Sequence, residues 1–98
     1  MAAHPDPPTL ETVEDVARRL RALAEPVRLR ILYELRQGER SVSELVEHMG
    51  CSQPNVSRHL AQLHRAGMVT RRKEGKTVYY AVGDELVFEI CDSLCGRR

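Results

Sequence analysis

Residues 41–60 constrain the fold of this chain more than any other segment, because their pattern is that of two short helices joined by a tight turn. Ser41 and Glu44 have the spacing of a capping box, which starts the first helix. Gly50 ends that helix, since glycine readily takes the left-handed conformation of a C-terminal cap. The apolar positions that we expect to face inward are Val42, Leu45, Val46, Met49, Val56, Leu60 and Leu63.

The second helix of this pair carries polar and basic side chains on its remaining faces. Ser52 or Gln53 can cap its N-terminus. Helix pairs of this kind place the second helix in the major groove of DNA, where such side chains reach base edges and phosphates. The residues of this helix that are predicted to contact DNA are Ser52, Gln53, Asn55, Ser57, Arg58 and His59.

A β-hairpin is predicted directly after the second helix. Residues 68–73 and 77–82 have the composition of two short strands, and Glu74-Gly75-Lys76 forms the turn between them. One interpretation is that this basic hairpin, next to a DNA-reading helix, is a wing that contacts DNA. The alternative is a solvated hairpin whose charges only prevent the sheet edges from aggregating. The hairpin residues predicted to contact phosphate are Arg72, Lys73 and Lys76.

Helical periodicity predicts three more helices around this unit. The first covers residues 10–24, the second runs from Pro26 to Gly38, and the last begins after Asp84 and ends at Gly96. The predicted fold is therefore mainly α with a small β-hairpin wing. It is a winged helix-turn-helix with the element order α-α-α-α-β-β-α.

The length of 98 residues suits one small domain. We expect residues 1–9 to be a disordered N-terminal lead and residues 10–98 to be a single domain for DNA binding and dimerisation. No apolar run approaches the roughly 18 residues of a membrane span, and the N-terminus lacks the features of a signal peptide. Three cysteines without an export signal favour the reducing cytoplasm and free thiols.

The net charge of +1 hides a local excess of positive charge. Residues 51–82 contain six Lys/Arg and one Asp/Glu, while acidic residues outnumber basic ones on both sides. Affinity for nucleic acid depends on such a local patch rather than on the charge of the whole chain. The distribution therefore favours a duplex DNA partner for the helix pair and the wing.

Three segments resemble the ArsR/SmtB family of small winged-helix repressors. They are residues 23–32 (LAEPVRLRIL), 52–60 (SQPNVSRHL) and 75–80 (GKTVYY), and the resemblance extends over nearly the whole chain. It implies a homodimer in which the first and last helices form the interface. It also implies a repressor that leaves its DNA operator when a metal, a metalloid or a thiol oxidant arrives.

Neither of the two best-known metal sites of that family is present. The arsenic-type site needs two cysteines in the first helix of the DNA-binding pair, and residues 44–48 contain none. The zinc-type site matches only at Asp84, because Leu86 and Arg97 occupy the positions of its two histidines.

The three cysteines leave several sensing chemistries open. Cys91 and Cys95 are one helical turn apart and could chelate As(III) or a soft divalent ion such as Cd(II) or Zn(II). The pair could instead be oxidised or take up persulfide sulfur, or it could simply pack in the dimer interface. Cys51 lies at a helix N-terminus, where the helix dipole favours the thiolate, and is either a third ligand or an ordinary turn residue.

Other functions are less well supported by the residues. No nucleophile–base pair, phosphate-binding loop or HExxH motif is present, so an enzyme is not expected. A winged helix that binds protein without any small-molecule sensor stays open as an alternative.

If Met1 is removed, the Ala2-Ala3-His4 terminus has the nitrogen ligands that suit square-planar Cu(II) or Ni(II).

Overall fold

The computed structural model of the chain describes residues 6–96, and within them five helices and three strands form one unit. Thr9 caps the first helix by accepting a hydrogen bond from the Thr12 amide at 3.2 Å. Residues 1–5, the larger part of the predicted disordered lead, lie outside this range. The elements in chain order are α1 Leu10–Leu23, α2 Pro26–Arg36, β1 Arg40–Ser41, α3 Val42–Met49, α4 Gln53–Arg65, β2 Val69–Glu74, β3 Thr77–Val82 and α5 Leu86–Cys95.

The predicted mainly α winged helix-turn-helix is confirmed, with one strand added. The two-residue β1 pairs antiparallel with β3, which makes β3 the central strand of a three-stranded sheet. The order is therefore α-α-β-α-α-β-β-α rather than the predicted α-α-α-α-β-β-α. The hairpin of β2 and β3 is closed by Gly75 and Lys76, with Glu74 opposite Thr77. Gly75 has a φ of 62°, a conformation that glycine adopts without steric cost.

The helix pair has the local signals that the sequence predicts. The Ser41 side chain accepts from the Glu44 amide at 3.2 Å, and the Glu44 carboxylate accepts from the Ser41 amide at 2.9 Å. That backbone hydrogen bond holds the pKa of Glu44 below its ordinary value. Gly50 ends α3 with a φ of 67°. Ser52, not Gln53, caps α4 by accepting from the Asn55 amide at 3.3 Å.

The core lies where α2, α3 and α4 meet the wing and α5. Burying a valine, leucine or isoleucine side chain contributes roughly 1.5–3 kcal/mol to stability. The packing of α4 against this core therefore fixes the orientation of α4. The inward positions predicted for α4 are confirmed, since Val56, Leu60 and Leu63 are fully buried. The other fully buried large side chains are Ile31, Leu32 and Leu45.

The outer faces of α1 and α5 remain apolar and exposed. An apolar groove of about 180 Å³ runs between the two helices and is lined by Val16, Leu20 and Ile90 among others. The exposed large apolar residues of these helices are Leu10, Val13, Val16, Leu20, Leu86 and Leu94. As predicted, α5 begins after Asp84, whose carboxylate accepts from the Leu86 amide at 2.9 Å; the N-cap residue Glu85 makes no side-chain cap bond. None of the described helices combines the length and apolarity needed to cross a membrane.

Candidate nucleic-acid interface

The N-terminal half of α4 presents a connected set of polar side chains. The Gln53 amide donates to the Ser57 hydroxyl at 3.0 Å, one turn along the helix. Arg58 is exposed and donates to the Asn55 side-chain oxygen at 2.7 Å. Ser52 is exposed as well, although its hydroxyl caps the helix. The structure therefore brings together, on one accessible surface, five of the six α4 residues that the sequence predicts as DNA contacts.

His59 is the exception, and the prediction that it lies on the DNA-facing surface is wrong. Its exposed fraction is 5%, because it faces the interior beside Val56 and Leu60. The ring Nδ1 accepts a hydrogen bond from Arg28 Nε at 3.1 Å. A nitrogen that accepts from a guanidinium is unprotonated, so this hydrogen bond favours the neutral form of His59.

Arg28 connects His59 to the junction between α1 and α2. Its Nη1 donates to the Ala22 carbonyl oxygen at 3.1 Å, and its backbone amide donates to the Glu25 carboxylate at 2.9 Å. Burial lowers the pKa of His59, the nearby Glu25 carboxylate opposes that shift, and the Arg58 and Arg28 charges add to it. His59 thus connects α4 to the junction of α1 and α2 through Arg28.

Arg72 of the wing is already engaged by two carboxylates. Its guanidinium donates both Nε and Nη2 to the Glu39 carboxylate at 2.8 Å and lies 3.3 Å from the Glu74 carboxylate. It also lies over the Tyr79 ring, 4.9 Å from the ring centroid. The hydrogen bonds raise the pKa of Arg72 and lower that of Glu39. A phosphate would have to replace these partners.

The remaining cations of the wing are exposed. Lys73 and Lys76 form no ion pair with any residue between 6 and 96, and neither does Arg71. One depression on the hairpin is lined by Arg71, Arg72, Lys73, Val78 and Tyr80. Arg71 was not among the predicted contacts, although it belongs to the same basic run. The alternation of β2 places it on the side of Lys73, since the two residues are two apart along the strand.

The cysteines do not form a three-ligand site within one chain. Cys91 is half-buried against the core, and Cys95 is exposed one turn further along α5. Interaction with the Cys91 thiol raises the pKa of the Tyr33 hydroxyl, and desolvation adds to this shift. Cys51 is half-buried, and its Sγ lies 3.9 Å from the Met49 carbonyl oxygen.

Between residues 6 and 96, no three side chains of the metal-binding types His, Cys, Asp and Glu lie close enough together to hold an ion. The structure therefore does not bring Cys51 together with Cys91 and Cys95. The predicted Ala2-Ala3-His4 site lies outside the described residues.

A capped helix pair followed by a basic hairpin defines the class of winged helix-turn-helix DNA-binding domains. The family described as "Bacterial regulatory protein, arsR family" matches residues 25–71. The chain belongs to this family, as the resemblance indicated. The family and the relatives named below are regulatory proteins, so the prediction that the chain is not an enzyme is confirmed.

Three comparisons show the extent of the likeness. A probable mercury resistance operon repressor of Streptomyces lividans is 47% identical over 77 residues, which are 79% of this chain and 62% of that protein. HlyU from Vibrio cholerae superposes with a TM-score of 0.77 at 36% identity, covering 88% of this chain and 97% of that one.

The homodimeric winged helix-turn-helix DNA-binding domain Mb0332 from Mycobacterium bovis, a possible ArsR-family transcriptional regulator, superposes with a TM-score of 0.79. It is 34% identical, with 96% of this chain and 86% of that one covered. This chain spans about 60% of the length of the first curated relatives that it matches.

Proposed function

We propose that this protein is a homodimeric, sequence-specific DNA-binding repressor of transcription that acts in the cytoplasm. The observation that carries the proposal is the N-terminal half of α4, where Gln53 donates to Ser57 and the exposed Arg58 donates to Asn55. The wing that follows in the chain adds exposed cations. The core holds this face outward, because the opposite side of α4 is fully buried.

Gln53 and Arg58 have the side chains that read bases most directly. Arginine contacts guanine with two hydrogen bonds, and glutamine does the same with adenine. The 2.7 Å hydrogen bond from Arg58 to Asn55 restrains the guanidinium in the free protein. Ser57 supports Gln53 in the same way and can contact either a base or a phosphate.

Phosphate contacts fall to the wing in this proposal. Lys73 and Lys76 supply charges that the described part of the chain leaves without an ion pair, and Arg71 extends the same surface. Such contacts supply affinity without sequence information. Arg72 is the weakest of the predicted phosphate contacts, since it must first exchange Glu39 and Glu74 for the phosphate.

The exposed apolar faces of α1 and α5 support a homodimer. Leu10, Val16 and Leu20 are about half exposed or more, and a second copy of the same surface would cover them. The Mb0332 domain is itself a homodimer. Two α4 helices related by a twofold axis read a near-palindromic site, whose half-sites are separated by about 10–10.5 bp or multiples.

Two variants test the division of roles on DNA. Arg58→Ala should relax the base preference and cost about 1–3 kcal/mol if the guanidinium makes a bidentate guanine contact. Lys76→Ala should weaken binding to all sequences alike. It should also lower the slope of log affinity against log salt concentration by about 1, the share of one phosphate contact. Binding constants for matched and mismatched duplexes at several salt concentrations give both quantities. A Lys76→Ala variant with altered sequence preference and an unchanged salt slope contradicts the assignment.

The inducer proposed for this repressor is a thiophilic metal or metalloid held by Cys91 and Cys95. Side chains four residues apart on a helix are neighbours, with Cβ atoms about 5–6 Å apart. Cys95 is exposed, so an ion can reach the pair, and Cys91 connects it to the core. The named mercury resistance repressor supports including Hg(II) with As(III) and Cd(II) among the candidate ions.

A bound ion would act through the dimer interface. Cys91 and Cys95 share α5 with the exposed Leu86 and Leu94, which a partner subunit would cover. A rigid bridge between the two thiols changes how α5 packs and hence the separation of the two α4 helices. The ion releases DNA only through different affinities for the two states, and a coupling of about 1–3 kcal/mol is typical.

Operator release by the parent protein and by Cys91→Ser/Cys95→Ser tests the sensor. The double variant should bind DNA and fail to respond to As(III), Cd(II) and Hg(II), whereas the control Cys51→Ser should respond like the parent. A double variant that still responds to every inducer of the parent refutes the assignment. Response to persulfide or oxidant alone, lost in the double variant, would favour the thiol redox alternative.

A further inference from the structure

A cavity of about 430 Å³ lies between α1, α2 and α4, on the far side of α1 from the apolar groove. Positive side chains dominate its wall, and none of the lining residues is acidic. The cavity opens to solvent, and Arg18, Arg21 and Arg65 in its wall are exposed. The lining residues are Arg18, Arg21, Ala22, Arg28, Gln62, Arg65 and Ala66.

The four arginines have few counter-ions. Arg21 and Arg65 form no ion pair with any residue between 6 and 96. Arg18 shares the single carboxylate of Asp15 with Arg19. The Arg28 guanidinium donates to the His59 ring and to the Ala22 carbonyl oxygen, while the Glu25 carboxylate accepts only from the Arg28 backbone amide. Gathering four guanidinium groups around one cavity creates a strongly positive potential that attracts an anion.

We propose that this cavity is a binding site for a phosphate-type oxyanion. The planar guanidinium donates two parallel hydrogen bonds to phosphate, and Arg28 is already fixed in place by its two bonds. The Gln62 amide in the wall supplies a neutral donor. The excess of positive charge favours an anion with more than one negative charge, such as a diphosphate group.

The position of the cavity allows two sources for the phosphate. Arg58, Gln62 and Arg65 follow one another at helical spacing, so the exposed face of α4 leads directly into the cavity. The occupant is either a backbone phosphate of the bound duplex or a phosphorylated small molecule. In both cases the anion joins α1, which carries the exposed apolar face, to the DNA-reading helix. Only the duplex source rests on the proposed function.

A charge-matched pair of variants tests the site. Arg21→Gln/Arg65→Gln removes two charges from the cavity. The control Arg30→Gln/Arg36→Gln removes two exposed arginines of α2 that lie outside it. Titration calorimetry with inorganic pyrophosphate at low salt measures binding to the DNA-free protein. The dependence of duplex affinity on salt concentration measures phosphate contacts in the complex. Circular dichroism establishes that both variants are folded.

The proposal expects one of two results. Saturable pyrophosphate binding that weakens at least tenfold in Arg21→Gln/Arg65→Gln, but not in the control, identifies a small-molecule site and stands even if the protein binds no DNA. The other result is that pyrophosphate does not bind, while the slope of log duplex affinity against log salt falls in the cavity variant alone, by about 0.9 for each lost phosphate contact. That result identifies a DNA contact. If the cavity variant and the control behave alike in both measurements, the site is refuted.

Discussion

Leu20 offers the most direct test of the homodimer. Its side chain is 47% exposed and lines the apolar groove between α1 and α5. Fully burying a leucine contributes roughly 1.5–3 kcal/mol, so covering the exposed half contributes roughly 1 kcal/mol per copy. A twofold interface buries the residue twice, and Leu20→Ala should therefore weaken dimerisation by roughly 2 kcal/mol, or about 30-fold in Kd.

Sedimentation equilibrium over a range of protein concentrations measures this constant directly. Val78→Ala is a suitable control, because Val78 is a half-buried apolar residue of the wing, away from the groove. The control should dimerise like the parent. A Leu20→Ala protein that is folded and dimerises as tightly as the parent refutes the placement of the interface on α1 and α5.

Three further predictions concern local contacts. Because the pKa of His59 lies below its ordinary value of 6.5, the unfolded chain takes up a proton that the folded protein excludes as pH falls below 6.5. The free energy of unfolding, measured with urea, should therefore reach its full value above that pH and decline below it. His59→Gln should make this decline less steep. Glu39→Gln should leave Glu74 as the one charged partner of Arg72 among the described residues and increase affinity for duplex DNA of any sequence, with a steeper salt slope. An unchanged slope would contradict the pairing of Arg72 with Glu39. Ser41→Ala should lower the free energy of unfolding by about 0.5–2 kcal/mol through loss of the α3 cap, and a loss no larger than that of the exposed Ser43→Ala would argue against it.

The helix pair was predictable because its signals are local. Ser41 and Glu44 are three residues apart, and Gly50 directly follows the last turn of α3, so the sequence alone contains the caps. β1 was not predictable in the same way. Two residues show no periodicity, and Arg40 pairs with Tyr80, which lies forty positions further along the chain.

The residue types of the candidate site could be predicted from the sequence, but the ion pair of Arg72 with Glu39 could not. The sequence identifies the basic wing, yet the partner of Arg72 is Glu39, 33 residues earlier, and such a pairing leaves no local pattern. His59 is different, because a signal existed. It is three residues after Val56 and next to Leu60, so it shares the buried stripe of α4, and the polar nature of its side chain concealed that spacing.

Selection of duplexes from a random pool, followed by affinity measurements at several salt concentrations, tests the central proposal most directly. We predict enrichment of a near-palindromic site that binds the dimer at least about 10³-fold more tightly than random DNA, with a steep decline in affinity as salt increases. The Arg58→Ala variant should lose most of that preference. Its affinity for DNA should keep the salt dependence that arises from the phosphate contacts of the wing. Failure to enrich any sequence, with affinity for duplex DNA that does not respond to salt, would contradict the account.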